Sequence, residues 1–150
     1  MSEANILQAL ESSTEAVLGT MFFADALPGS GECPIENGVR AALEFHGMQP
    51  GRFTLEVSLE AAREIAANFL GLTPAELSQG QTCDVIREMA NMVCGSVVSI
   101  LERDSTFDLA APCILPEPSA VTSGHVFRRS FAIDGGGLEV CLELYPDSSR

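Results

Sequence analysis

Residues 83–103 read CDVIREMANMVCGSVVSILER, and this stretch decides the fold. At about 100° per residue, a helix over it gathers most of its apolar side chains on one broad side, which predicts packing on a core. A narrow polar stripe remains, formed by Asp84, Glu88, Asn91 and Gly95. The stripe sets a carboxylate and a carboxamide one turn apart, followed by a residue without a side chain. The pattern predicts a helix whose backbone another surface can approach closely.

The first third of the chain predicts a helix and then a hairpin. Residues 4–22 (ANILQALESSTEAVLGTMF) repeat apolar residues at helical spacing. Residues 39–46 and 52–57 alternate apolar and polar residues, which is typical of half-buried strands. The short link GMQPG between them predicts that these two strands form an antiparallel hairpin.

Two helix starts lie between the hairpin and the long helix. Ser58 is placed to cap a helix over residues 59–70, which Gly71 ends. The run Thr73-Pro74-Ala75-Glu76 has the capping-box pattern with proline at the first helical position. A short helix is therefore predicted there.

The chain turns extended after the long helix. Residues 107–119 (FDLAAPCILPEPS) contain three prolines, which restrict them to a sheet edge or a loop. Residues 125–133 and 138–145 predict two strands joined by DGGG. The last of these strands is predicted to be an edge that could pair between subunits.

The order of elements predicts the fold class. Segregated hairpins and helices favour an α+β two-layer sandwich, with the long helices packed on an antiparallel sheet in a single domain over residues 1–150. The two halves resemble each other, each with a long helix and then strands. Aligning them places residues 15–18 (EAVL) opposite residues 88–91 (EMAN), so the first copy has leucine where the second has Asn91.

Composition limits the partners of the chain. The formal net charge is −13, and such a field repels phosphodiester backbones and anionic lipid, so we predict neither nucleic-acid nor membrane binding. No apolar run reaches the roughly 18 residues of a membrane span. The N-terminus lacks the pattern of a signal peptide, and we expect a cytoplasmic protein.

Cysteine and histidine usage argues against a metal site. The five cysteines have no C-x-x-C spacing, and only His46 and His125 accompany them. We expect reduced thiols, with Cys94 and Cys141 in the core, and both histidines at the surface. A metal site built on the stripe carboxylates is disfavoured because no histidine has matching spacing. No local grouping of residues predicts nucleophilic catalysis.

The stripe residues carry a resemblance. The motif Asp84-x-x-x-Glu88-x-x-Asn91, with Gly95 four residues on, resembles the CheC/CheX/FliY phosphatases of bacterial chemotaxis. Pro112 follows Asn91 after twenty intervening residues, slightly earlier than the proline of the family pattern. CheC-like members carry the motif on both long helices and CheX-like members on one. The single copy here is most similar to CheX.

The resemblance implies an activity and a partner. It implies a phosphatase that dephosphorylates the phospho-aspartate of a CheY-like response regulator, in chemotaxis or a related two-component pathway. It also implies that the chain binds no cofactor of its own, because the regulator supplies Mg²⁺. CheX-like proteins are dimers joined through their sheets, so a homodimer is implied as well.

The resemblance also implies a role for each site residue. Asn91 would orient the attacking water, because an amide both accepts and donates hydrogen bonds without titrating near neutral pH. Glu88 would pair with a lysine of the regulator. Asp84, Gly95 and Pro112 would contact the partner, and Asp84 also complements the helix dipole.

Two other interpretations remain open. A glutamate and an asparagine one turn apart also occur on ordinary solvated helix faces. The chain could alternatively be a non-catalytic module of the same fold that docks on a response regulator or a flagellar-switch protein, because fold alone does not decide function.

Overall fold

The structure is a computed structural model that describes residues 2–29, 35, 37–116 and 124–146. Three α-helices lie within these residues: α1 (Glu3–Met21), α2 (Leu59–Leu70) and α3 (Gln79–Leu101). The strands there are β1 (Leu27–Pro28), β2 (Val39–His46), β3 (Gly51–Val57), β4 (Asp108–Leu109), β5 (Cys113–Leu115), β6 (His125–Ile133) and β7 (Gly136–Leu144). A single-turn 3-10 helix, Pro74–Glu76, links α2 to α3.

The strands form one antiparallel sheet, and the helices pack on one of its faces. The strand order is β1-β6-β7-β3-β2-β4, and β5 also pairs with β2. Alternate residues of β3, from Gly51 to Val57, are buried, and the residues between them are only half-buried. The predicted α+β two-layer sandwich is confirmed. The prediction that the last strand is an edge is wrong, because β7 lies between β6 and β3.

The two halves of the chain exchange strands. β1 follows α1 but pairs with β6, whereas β4 and β5 follow α3 but pair with β2. The two long hairpins meet where β3 pairs with β7 along its full length. The halves are therefore alike in element order and in pairing. The alignment of Leu18 with Asn91 is not supported, because Leu18 is fully buried and Asn91 reaches the surface.

A capping box fixes the start of α3. The Ser78 side chain accepts a hydrogen bond from the Gln81 backbone N–H at 3.1 Å, and the Gln81 side chain accepts one from the Ser78 N–H at 2.8 Å. These bonds satisfy two of the backbone donors that a helix start leaves unpaired. The helix consequently begins at Gln79, four residues before the predicted start at Cys83. The predicted role of Asp84 at the helix dipole is wrong, because Asp84 lies beyond the first turn, where the dipole effect is weak.

Ser58 is the N-cap residue of α2, as predicted, and its C=O accepts a hydrogen bond from the Ala62 N–H at 2.8 Å, but its side chain makes no capping bond. Its hydroxyl instead accepts a hydrogen bond from the Gly137 N–H at 3.2 Å, so it ties the start of α2 to the turn between β6 and β7. The predicted end of α2 is confirmed. Gly71 closes the helix in the left-handed conformation at φ 70°, which glycine adopts without a steric penalty.

The proline-containing segment lies at the sheet edge, as predicted. β4 and β5 are short, and half-buried Pro112 lies just before β5. Proline removes a backbone donor from the ladder, so the pairing of this segment with β2 is interrupted there. Pro118, the last proline of this segment, lies outside the described residues.

The reactive side chains fall into core and surface positions. Cys94 is fully buried as predicted, but Cys141 lies on the outer face of β7 and is half-buried, because the residues on either side of it point into the core. His46 and His125 are exposed as predicted. In the described ranges, no three or more His, Cys, Asp or Glu residues form a group that could hold a metal ion. None of the helices described there is long and apolar enough to span a membrane.

Candidate functional site

The polar stripe lies on the outward side of α3. The inward side carries nine buried residues: Thr82, Val85, Ile86, Met89, Ala90, Val93, Cys94, Val97 and Val98. Of the stripe residues, Asp84 and Glu88 are exposed, whereas Asn91 and Gly95 are half-buried. Burial of the inward side holds the helix in one rotation, so packing fixes the direction in which the stripe points.

Asp84 and Glu88 differ in their surroundings although both are exposed carboxylates. Asp84 forms an ion pair with Arg87 one turn on, with side chains that are 64% and 39% exposed. Exposed pairs of this kind contribute about 0–1 kcal/mol, so a partner could displace the pair at little cost. No salt bridge engages Glu88 among the residues that the structure describes. Glu88 is therefore the stripe carboxylate that is free to meet a cation of another molecule.

Asn91 lies one turn beyond Glu88 on the same side. Residues three apart on a helix place their Cβ atoms about 5–6 Å from each other. In the described part of the chain, no side-chain hydrogen bond engages the Asn91 amide. In the next turn, Ser96 Oγ donates a hydrogen bond to Ser13 Oγ at 2.9 Å. The Ser96–Ser13 bond links α3 to α1 behind the stripe. The amide thus projects from a helix that is anchored on its other side.

Gly95 adjoins the sheet edge. A Cβ atom built on Gly95 would lie 3.6 Å from Leu109 Cδ1 of β4, an ordinary van der Waals distance. Pro112 follows Leu109 by three residues in the same edge segment, and α3 also contacts β5. The structure therefore brings the end of the stripe and the segment that carries Pro112 to the same side of the molecule. The partner contacts assigned to both residues stay predictions.

Covalent chemistry at Cys94 does not fit its position. Cys94 lies on the buried side of α3, and burial raises its pKa to about 12. The thiol therefore stays protonated near neutral pH, and only a thiolate is an effective nucleophile. On the outward side of α3, Glu88 carries a carboxylate and Asn91 an amide, and these groups suit positioning rather than covalent catalysis.

A shallow apolar depression beside the stripe was not predicted from sequence. Its volume is about 410 Å³. Its apolar lining comes from the ends of α1 and α2 and from α3: Met21, Phe69, Leu70, Val85 and Met92. Asp84 and Glu88 form part of its wall. The available sequence signal was the apolar pair at residues 69–70 directly before a helix-ending glycine.

A larger cavity lies away from the stripe. It has a volume of about 670 Å³ and is lined by the first half of α1, the β2–β3 turn, the end of α3 and the residues that follow α3 up to Ser105. None of the predicted site residues lines it. Like the depression beside the stripe, it is open to solvent, and its size alone gives no reason to prefer it over the stripe as the functional site.

Solved structures share this architecture. CheX from Desulfovibrio desulfuricans is 23% identical, with a TM-score of 0.76 over 93% of this chain and 99% of that chain. CheX from Vibrio vulnificus is 22% identical, with a TM-score of 0.78 over 97% and 99%. A chain of the CheX–CheY–BeF₃–Mg²⁺ complex from Borrelia burgdorferi is 17% identical, with a TM-score of 0.74 over 93% and 97%. These similarities define the class of protein as a CheC-like α+β fold.

The family is shown by the sequence match. The family described as "Chemotaxis phosphatase CheX" matches residues 39–124, which is more than half of the chain and contains the whole polar stripe. The chain therefore belongs to the CheX family of chemotaxis phosphatases. No curated protein matches it significantly.

Proposed function

We propose that this chain hydrolyses the phospho-aspartate of a CheY-like response regulator. The observation that carries the proposal is the pair Glu88 and Asn91, which share the outward side of a helix anchored in a CheX-family fold. A similar chain was crystallised with CheY, BeF₃ and Mg²⁺, which supports a receiver domain as the partner. We place the reaction in the cytoplasm, where such regulators are phosphorylated.

Asn91 positions the attacking water. Hydrolysis of an acyl phosphate requires a water in line with the leaving carboxylate, and most of the catalytic effect comes from positioning and charge neutralisation. The amide oxygen accepts a hydrogen bond from the water, and the amide NH₂ donates one to a phosphoryl oxygen. Mg²⁺ belongs to the regulator and neutralises the phosphoryl group there.

Glu88 sets the register of the complex. Its carboxylate has no cationic partner within the described residues and reaches solvent one turn before Asn91. A lysine of the regulator beside the phosphorylated aspartate would complete an ion pair with it. Such a pair becomes partly desolvated when the surfaces meet, so loss of either charge leaves the other unpaired in the interface. Glu88 therefore fixes the position at which Asn91 enters the regulator.

The experiment compares Asn91→Ala with wild type. CheY-like receivers of the source organism are phosphorylated with acetyl phosphate, and phosphate release is followed in single turnovers. We expect Asn91→Ala to bind the receiver normally but to lose about a hundredfold in rate, which corresponds to roughly 2.7 kcal/mol of barrier. Asn68→Ala is the matched control, because Asn68 is an exposed asparagine on α2 outside the stripe. A near-wild-type rate for Asn91→Ala would rule out the proposed role.

The same assay separates the enzyme from a docking module. Two features favour a docking module. Leu109 lies close to Gly95 at the end of the stripe, and Pro112 comes earlier in the chain than the proline of the family pattern. If the wild-type chain binds every phosphorylated receiver tested without shortening the lifetime of the phosphoryl group, the non-catalytic interpretation replaces the proposal.

We also propose that the chain forms a homodimer through the outer face of its sheet. This face carries both signs of charge, including an Arg40–Glu56 ion pair at 2.9 Å. Small side chains lie at its centre, where Thr54 of β3 pairs with Cys141 of β7 and Ala42 of β2. A two-fold dimer brings one patch against itself, which suits a surface of mixed charge. Burial raises the pKa of Cys141 and of Glu56, so the face is already partly desolvated in one chain.

A further inference from the structure

We propose that the apolar depression beside the stripe receives an apolar side chain of the phosphorylated response regulator, one that lies next to a basic residue. This inference rests on the proposed function and adds a second contact that selects the regulator. The depression is the one lined by Met21, Phe69, Leu70, Val85 and Met92.

Three exposed apolar side chains meet at this place. Met21 and Leu70 are each 41% exposed and Phe69 is 37% exposed. Met21 comes from α1 and the other two from α2, and all three line one depression. Contiguous apolar surface of this kind marks interaction sites more often than scattered apolar residues do.

The depression is already formed in the free chain. The Phe69 ring stacks on the Phe22 ring with centroids 4.9 Å apart, and Phe22 is fully buried. Gly71 closes α2 two residues later and fixes the direction of the helix end. The floor includes Val85, which belongs to the packed side of α3. A partner side chain would therefore enter a preformed site and would order few groups of this chain on binding.

The position of the depression identifies the occupant. Glu88 belongs both to its wall and to the stripe that carries Asn91, so a molecule whose phosphorylated pocket covers the stripe also covers the depression. The lining contains the carboxylates of Asp84 and Glu88 and no cationic side chain. Arg87 neutralises Asp84 from outside the lining, which leaves Glu88 as the free charge. An apolar side chain beside a lysine or arginine complements this combination.

Leu70→Gln and Met21→Gln test the inference. The probe is the CheY-like receiver activated with beryllofluoride and Mg²⁺, and its Kd is measured by fluorescence titration. We expect each variant to raise Kd at least about tenfold, because burial of one such side chain corresponds to that change or more. In turnover assays the KM should rise and kcat should stay unchanged, since neither residue reaches the phosphoryl group.

The controls are exposed apolar residues away from the depression. Leu59→Gln alters the opposite end of α2 at a residue 39% exposed, and Met48→Gln alters the β2–β3 turn at a residue 84% exposed. Neither should change Kd. Thermal unfolding verifies that the variants fold. Because the two substitutions lie on different helices, the test can still be carried out with one variant if the other does not fold.

The outcomes separate this inference from the proposed function. If Asn91→Ala abolishes hydrolysis while Leu70→Gln and Met21→Gln bind the receiver as wild type does, the depression is not a docking site and the phosphatase assignment stands. If both substitutions leave Kd unchanged but convert a dimer into a monomer, a second copy of the chain occupies the depression and the inference is wrong. If they weaken binding of a receiver that is never hydrolysed, the docking site holds and the phosphatase proposal fails.

Discussion

At the scale of single residues, the polar stripe offers groups that suit positioning. Helical spacing in the sequence was enough to predict that Asp84, Glu88 and Asn91 share an outward stripe, because their common direction follows from the geometry of α3. The contact between Gly95 and Leu109 could not be predicted in the same way. This contact depends on the position of β4, which is set by the pairing of β4 with β2.

Gly95→Ala tests why α3 has a glycine at this position. The glycine either lets a partner approach the helix closely or makes room for β4. A methyl group at this position meets Leu109 at an ordinary contact distance, and alanine favours a helix over glycine by about 1 kcal/mol. We therefore expect urea unfolding to show equal or higher stability. We expect the rate of phospho-receiver hydrolysis to fall by roughly tenfold, because the methyl group stands where the partner backbone approaches.

The matched control for this substitution is Gly19→Ala. Gly19 is an exposed helical glycine of α1, and a Cβ atom there would meet no other atom within 4 Å. It should gain similar stability and keep the wild-type rate. A wild-type rate in Gly95→Ala would show that approach of the partner does not depend on the glycine.

At the scale of elements, the start of α3 determines how well the stripe is held. The pattern Ser-x-x-Gln at residues 78–81 is a capping-box signature in the sequence, but Gly80 and Thr82 beside it have low helix propensity and argue against a helix start there. Ser58 also matched a cap, yet its hydroxyl bonds the Gly137 N–H from a distant hairpin. The two serines differ in a tertiary contact, which local sequence does not encode.

Ser78→Ala should destabilise the chain by about 1 kcal/mol, because it removes the side-chain acceptor for the Gln81 N–H. The midpoint of urea unfolding measures this change. Ser99→Ala is the control, because Ser99 is exposed in the last turn of the same helix and lies far from the capping box. Equal midpoints for the two variants would show that the capping box contributes nothing to the stability of α3.

At the scale of the whole molecule, the order of helices and strands was predictable and their partners were not. The alternation in residues 39–46 and 52–57 specified a hairpin because its turn is short. The central position of β7 and the exchange of β1, β4 and β5 depend on pairing between segments far apart in the chain. Many different strand orders would place the apolar residues on one face of the sheet. The alternation of apolar and polar residues alone therefore does not determine which strands pair.

The proposed dimer makes a prediction at this scale. Sedimentation equilibrium should give twice the mass of one chain, and Thr54→Arg should shift the equilibrium towards monomer. An arginine at the centre of the outer face faces its own copy across the two-fold axis, where like charges repel. Thr106→Arg, at an exposed loop position, is the control. A monomer at all concentrations of the wild-type chain would contradict the proposal.

The exchange of strands between the halves has a consequence for how such a molecule can arise. Residues 79–146 alone would keep α3 and the β6–β7 hairpin, but β4 and β5 would lose β2, and β7 would lose β3. If the halves descend from one duplicated gene, the ancestral polypeptide was complete only as a swapped pair of identical copies. Fusion then turned an association that depended on concentration into a permanent one.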